Sequence, residues 1–226
     1  GYFGSKGTHL IIRRNLNQPI DGVRPYTNLS ATSPILPGTA LGNITQVDSV
    51  GFSSYDALWL SATQRPLRGL RLDASYTWSR SLDTNSLNST GFAVQDAYNI
   101  PNENALSDFD ARHRLVVSAI YDVPSTSHWF TSDWQLATIV QAQSGNPVNI
   151  VTNNSTLNGV ANTVRPDLVA PVHVTGSVDG WFDPSSFAAA NRFGNLRRNA
   201  VTGPGFVNTD LSVVKTVTAG PDRVLQ

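Results

Sequence analysis

The side chains with which this sequence could do chemistry are few and scattered. Four histidines, His9, His113, His128 and His173, stand far apart, and no His-Glu-x-x-His spacing occurs, so a zinc hydrolase site is not expected. The chain contains no cysteine, which removes disulfides, thiolate metal sites and cysteine nucleophiles together. There is no Gly-x-Ser-x-Gly elbow, and Gly4-Ser5-Lys6-Gly7-Thr8 lacks the spacing of a phosphate-binding loop and reads instead as a strand-end turn. Asp108 and Asp110 flank Phe109 beside Arg112 and Arg114. Their hard oxygens suit calcium, but the spacing of a calcium loop is absent and cations are adjacent, so a salt-bridged rim is the expectation. No catalytic residue, metal site or cofactor is expected.

What remains must be explained by the elements that carry these residues, and composition narrows those elements. Charged residues make up 14% of the chain, against about 25% in soluble globular proteins. Hydrophobic content is an ordinary 40%, so Ser, Thr, Asn, Gln and Gly have taken the place of charge. Sixteen basic and sixteen acidic residues cancel, so no broad positive field recruits nucleic acid or anionic lipid. No apolar run is long enough to cross a membrane as a helix.

The hydrophobic period is two. Over residues 70–80, Leu70, Leu72, Ala74, Tyr76 and Trp78 alternate with Arg71, Asp73, Ser75, Thr77 and Ser79, a strand with one apolar and one polar face. Residues 55–63, 113–123, 134–143 and 207–213 repeat the pattern less cleanly, with Trp59, Val116 and Ile120 on the polar side. These are five interior strands, and residues 1–12 and 223–226 read as truncated ones. Apolar residues with helical spacing do not occur over a comparable length.

Short and long connections alternate. Residues 65–69, 124–133 and 218–222 are tight; residues 13–53, 82–111 and 146–205 are long, and structureless stretches of that size are uncommon in compact soluble domains. In an antiparallel meander alternate connections lie at opposite ends, so all short turns fall on one rim and all long loops on the other. That asymmetry is the signature of outer-membrane barrels. The expectation is an all-β, up-and-down antiparallel meander forming part of a large transmembrane barrel, with long extracellular loops and neighbours in sequence adjacent in space.

Residue roles follow. Leu70, Leu72, Ala74, Leu115, Val117, Leu136 and Leu211 are expected on the convex face, against outer-membrane lipid. Tyr76 and Trp78 at the long-loop end, and Tyr121 and Trp134 near the short turns, occupy the two interfacial levels where aromatic girdles form. Arg71, Asp73, Ser75, Gln135, Gln141 and Asp210 point the other way and line the lumen. Trp181, Phe182, Phe187, Phe193 and Phe206 lie among the long loops, where they either pack the loop on itself or meet a carbohydrate or peptide.

Several blocks resemble Oar-like TonB-dependent outer-membrane receptors: GSKGTHL (residues 4–10), NLNQP (15–19), SYDALWLSATQRPLRGLRLDASYTWSRSLD (54–83), SDFDARHRLVVSAIYDVP (107–124), DWQLATIVQAQSGNPVNI (133–150), RPDL (165–168), WFDPSSFA (181–188) and GNLRRNAVTGPGFVNTDLSVVK (194–215). They cover well over half the chain, in family order. The resemblance implies a barrel of about 22 strands closed by a plug, with energy delivered by TonB and a substrate met outside the cell. It also implies that residues 1–226 are an incomplete barrel segment, with the plug, the TonB-contacting segment and the remaining strands elsewhere, and that the lumen residues named above line the wall or touch the plug. Siderophores, oligosaccharides, peptides and protein cargo are all conceivable substrates, and the direction of transport is open. Two other readings compete: a non-transporting surface or adhesion barrel, and a soluble β-sandwich binding module in which the apolar faces pack under a second sheet.

Overall fold

The computed structural model describes residues 1–86, 94–124, 128, 130–177, 179–218 and 224–225. Six long strands dominate it: β1 (Tyr2–Asn15), β2 (Thr45–Leu67), β3 (Leu70–Asp83), β4 (His113–Asp122), β5 (Trp134–Gln143) and β6 (Phe206–Lys215). They pair in chain order and every pair is antiparallel. This is the expected meander. Shorter pairings decorate the connections: Ala105–Leu106 on the end of β3, Pro147–Val148 with Val201–Thr202, and Asp167–Leu168 with Phe187–Ala188.

The rims separate as the connection lengths require. Leu70 stands opposite Tyr121, Asp122 opposite Gln135, and Lys215 opposite Trp134, so the β2–β3 and β4–β5 turns and the exit from β6 share one end of the sheet. The long connections leave from the other. Residues 125–127, 129 and 219–223 lie outside the described residues, so the short-rim connections at 124–133 and 218–222 are described only in part. Residues 87–93 of the long connection at 82–111 also lie outside them.

The β2–β3 turn is tighter than residues 65–69. Arg68 and Gly69, with φ of 50° and 86°, form the two-residue loop alone. Positive φ at both central positions matches the twist of the flanking strands. Gly69 is required twice over, because a Cβ there would also come within 2.3 Å of the Asp122 carbonyl oxygen. The register shifts between Gln64 and Leu67, and this bulge is where Pro66, which has no N–H for the ladder, can sit within a strand.

Four expectations need correction. Gly4 to Thr8 is no strand-end turn: it runs inside β1, paired with Asp56 to Phe52. A Cβ at Gly7 would lie 2.7 Å from the Ser53 hydroxyl of β2, so a larger residue there would require that side chain to turn away. β2 begins at Thr45, well before residue 55, so the first long loop is shorter than 13–53. Its added half, paired with β1, carries no apolar–polar alternation because it extends past the rest of the sheet. Phe206 is the first residue of β6, opposite Gln143, and not part of a loop. Val224–Leu225, within the run at 223–226, pairs with Val217–Thr218 as a separate small hairpin and adds no strand to the large sheet.

The sandwich reading fails on the same coordinates. Among the described residues all substantial packing between long strands is with sheet neighbours, and no second sheet lies over the apolar face.

Candidate functional site

Register turns the alternation of single strands into two continuous surfaces. On one, successive cross-strand rows read Leu60, Tyr76, Leu115, Ala142 and Val207, then Ala62, Ala74, Val117, Val140 and Thr209, then Gln64, Leu72, Ala119, Thr138 and Leu211. Leu67, Leu70, Tyr121, Leu136 and Val213 complete the band at the short-turn rim. All seven residues assigned to the apolar face are therefore on it together. Gln64 and the threonines are its polar exceptions. The band is uncovered: Leu60 is 53% exposed, Leu211 73% and Val207 74%. Facing water, each large apolar side chain left so would forfeit part of the roughly 1.5–3 kcal/mol that burial supplies; hydrocarbon removes that penalty.

Aromatic residues bound the band at both ends. Trp78 stands between Leu58 and His113, and the Tyr76 hydroxyl shares a 2.7 Å hydrogen bond with His113 Nδ1. At the other end Tyr121 stands opposite Leu70. Trp134 donates its indole N–H to the Phe130 carbonyl at 2.7 Å and carries the Lys215 ammonium 5.6 Å from its ring centre. The rows of Trp78 and Trp134 are about ten residues apart, or about 33 Å along the strands. A tilt of roughly 40° reduces this to about 25 Å, the height of the apolar band of an outer-membrane barrel.

The opposite surface holds the six candidate lumen residues. Arg71 pairs with Asp122 at 3.2 Å, and the other oxygen of Asp122 accepts from Gln135 Nε2 at 2.7 Å. Arg71 and Gln135 thus meet through a carboxylate that the sequence placed on this face but did not single out. Asp73 lies between Thr63 and Ser118, Ser75 between Ser61 and Val116, and Gln141 between Val116 and Asn208. Asp210 stands opposite Ile139 and accepts from Asn208 Nδ2 at 3.1 Å. No single cluster gathers all six; they are spread over three strands, β3, β5 and β6.

Toward the long-loop end this polar face is roofed. Ser79, Ser81 and Asp83 are buried, whereas Trp78 and Arg80, which alternate with them onto the other face, are exposed. The Ser79 hydroxyl donates to the Ala111 carbonyl at 3.0 Å, and Asp110 accepts the Ser81 N–H at 2.6 Å. A cleft of about 270 Å³ lies under the roof, with Tyr55, Thr77, Arg114 and Gln143 facing Phe109 and Asp110. The salt-bridged rim expected of Asp108 and Asp110 with Arg112 and Arg114 forms in part: Arg112 lies 3.7 Å from Asp110, but the partner of Asp108 is Arg198, at 3.4 Å, and not Arg114.

Two arginines that the sequence reading did not select hold the roof together. Arg165 donates to both oxygens of Glu103 at 2.8 and 3.0 Å and to the Leu196 carbonyl at 3.0 Å, and each partner of the ion pair is 1% exposed. Glu103 also accepts the Gln95 N–H at 3.1 Å, and the Gln95 side chain accepts the Arg165 N–H at 2.6 Å. Arg198 binds the Asp83 carboxylate, donates to the Asp83 carbonyl at 2.6 Å, and donates to the Glu103 carbonyl at 3.1 Å. Asn15 reaches the Asn158 carbonyl at 3.0 Å, and Gln18 accepts the Ala97 N–H at 2.7 Å, so the first loop joins the second and third. The apolar counterpart is a cluster of Ile12, Val94 and Ile100. Buried charge, not hydrophobic area, organises these loops. The available signal was the pair of blocks RPDL and GNLRRNA, whose arginines stand in stretches otherwise poor in charge.

Between the three loops opens a groove of about 630 Å³ whose walls include Gln18, Asp21, Asp96, Tyr98, Arg192 and Phe193. Of Trp181, Phe182, Phe187 and Phe193, only Phe193 lines it. Trp181 donates to the Thr202 carbonyl at 3.1 Å, Phe182 bridges to Val174, and Phe187 pairs with Leu168, so these three fold the last loop on itself. Asp183 caps the turn Pro184–Ser186, and its hydrogen bonds from Ser185 hold the carboxyl below its ordinary range. The histidines are dispersed, His113 against Tyr76 and His173 beside Asp183.

A family model described as an outer membrane beta barrel domain matches residues 1–226. No curated protein and no solved structure matches the chain.

Proposed function

The chain belongs to the outer membrane beta barrel domain family and lies in the bacterial outer membrane, and from that premise we propose that it forms part of the barrel wall of a TonB-dependent transporter. The apolar band with its two aromatic rows meets lipid. The polar face, from Arg71, Asp122 and Gln135 at the short-turn rim to Arg114 and Gln143 under the loops, faces the lumen and the plug. The short rim is periplasmic and the roofed loops are extracellular, so the groove containing Tyr98, Arg192 and Phe193 is where an outside substrate first meets this segment.

The observation that carries the reading is the one-sided roof. The loops close over Ser79, Ser81 and Asp83 while leaving Trp78 and Arg80 of the same strand open, as expected when one side of a wall encloses a lumen and the other meets lipid. The transporter assignment rests on the resemblance of the sequence blocks. The full-length protein is expected to form a stoichiometric complex with the periplasmic domain of TonB in analytical ultracentrifugation. Absence of any complex would favour the non-transporting surface barrel, which needs neither plug nor TonB.

A further inference from the structure

Above the upper aromatic row, the face that carries the apolar band changes character. Arg80 is the next residue of β3 on that face, opposite Asp56 of β2, and Lys6 of β1 stands one row beyond, opposite Ser54. Arg112 reaches the same level from the segment entering β4. Tyr2, Leu58, Trp78, Arg80 and Arg112, with Asp56, line a groove of about 320 Å³. Its membrane-side wall is apolar and aromatic, and its loop-side wall presents two guanidinium groups.

The charges of this groove are poorly satisfied from within. Arg80 makes no hydrogen bond or ion pair with the described residues, although a carboxylate stands opposite it in register. That carboxylate, Asp56, accepts the Tyr2 hydroxyl at 2.5 Å instead. Arg112 has only a long contact, 3.7 Å, with Asp110, whose carboxylate accepts the Ser81 N–H at 2.6 Å. Lys6 adds a cation 5.9 Å from the Phe52 ring centre. A planar fork of donors left without an acceptor beside an interfacial tryptophan fits one chemistry: a phosphate attached to an acyl chain.

We infer that this groove binds the phosphorylated headgroup of an outer-leaflet lipid. The phosphate seats on Arg80 and Arg112, and the acyl chains descend over Leu58 and Trp78 onto the apolar band. The inference rests on the proposed orientation, in which this face meets lipid. A bare phosphate would use only the upper wall and an uncharged lipid only the lower one.

The test uses the full-length protein in detergent micelles and native mass spectrometry, with dimyristoyl phosphatidic acid, dimyristoyl glycerol and inorganic phosphate as probes. The wild type is expected to retain one phosphatidic acid, and Arg80→Gln/Arg112→Gln to retain it at least about tenfold less well, with little retention of the glycerol lipid and no displacement by inorganic phosphate. Equal retention by the variant, equal retention of the uncharged lipid, or displacement by inorganic phosphate would each overturn the inference. Orientation is read separately. In vesicles of acyl-brominated phosphatidylcholine, the fluorescence component lost in Trp78→Phe should be quenched in the parent protein. If quenching occurs without selective retention, the headgroup site alone is wrong; if quenching is absent, the orientation is wrong as well.

Discussion

Leu72→Arg is expected to lower the stability of the full-length barrel in lipid by about 2–4 kcal/mol, the cost of an arginine near the bilayer midplane of a β-barrel. Leu72 stands between Gln64 and Ala119 on the apolar band, close to midway between the Trp78 and Trp134 rows. A charge there must either remain in hydrocarbon or thin the membrane around it. Ser75→Arg, three positions along the same strand, enters the polar face between Ser61 and Val116. It meets no hydrocarbon, and contact with a plug adds a smaller steric penalty, so its effect should be much the milder. Reversible urea unfolding of both variants in lipid vesicles checks the contrast. Equal tolerance, or greater damage from Ser75→Arg, would mean that the faces are assigned the wrong way round.

The second large effect concerns the loops. Glu103→Ala leaves the Arg165 guanidinium buried without its carboxylate, and removing one partner of a buried pair typically costs about 3–5 kcal/mol. The same substitution frees the Gln95 N–H. Loosening should therefore spread to the segments that Arg165, Gln95 and Arg198 tie together, while the strand ladders hold. Hydrogen exchange resolved by segment should show faster exchange around residues 95–103 and 158–165, with β3 to β5 unchanged. Glu103→Leu/Arg165→Met removes both charges and is expected to recover part of the protection, because two apolar side chains carry no uncompensated buried charge. It cannot recover all of it, since the Gln95 N–H and the Leu196 carbonyl still lose their partners. If single and double variants exchange alike, the ion pair does not hold the loops.

How much of this was legible in the sequence depends on what each residue faces. β3 reads without error from Leu70 to Ser79 because along that length one of its sides belongs to the apolar band and the other to the polar surface. The five interior strands and the segregation of short turns from long loops followed from the same constraint. The first half of β2 is not legible because it lies past the apolar band, where Thr45, Val47 and Val50 need suit only a strand. Gly4 to Thr8 misled for a related reason: glycine is read as punctuation, yet Gly4 and Gly7 stand inside a paired strand, opposite Asp56 and Ser53. Site residues divide similarly. The aromatic levels could be placed by counting along strands. The partner of Arg71 could not, because Asp122 is reached only through register, 51 positions away. Arg165 and Glu103, 62 positions apart, belong to irregular backbone whose contacts no period encodes.

The most direct test of the two-faced wall is a spin-label scan of β3 in the full-length protein in lipid, simplified by the absence of cysteine from this chain. Single cysteines at each position from Leu70 to Thr77 would carry a nitroxide, and its collision rates with oxygen and with a water-soluble nickel chelate would be measured. Oxygen, which partitions into hydrocarbon, is expected to peak at Leu70, Leu72, Ala74 and Tyr76. The nickel chelate should be favoured, relative to oxygen, at Arg71, Asp73, Ser75 and Thr77, giving a period of two with the probes out of phase. Oxygen maxima at the second set, or no alternation at all, would contradict the account.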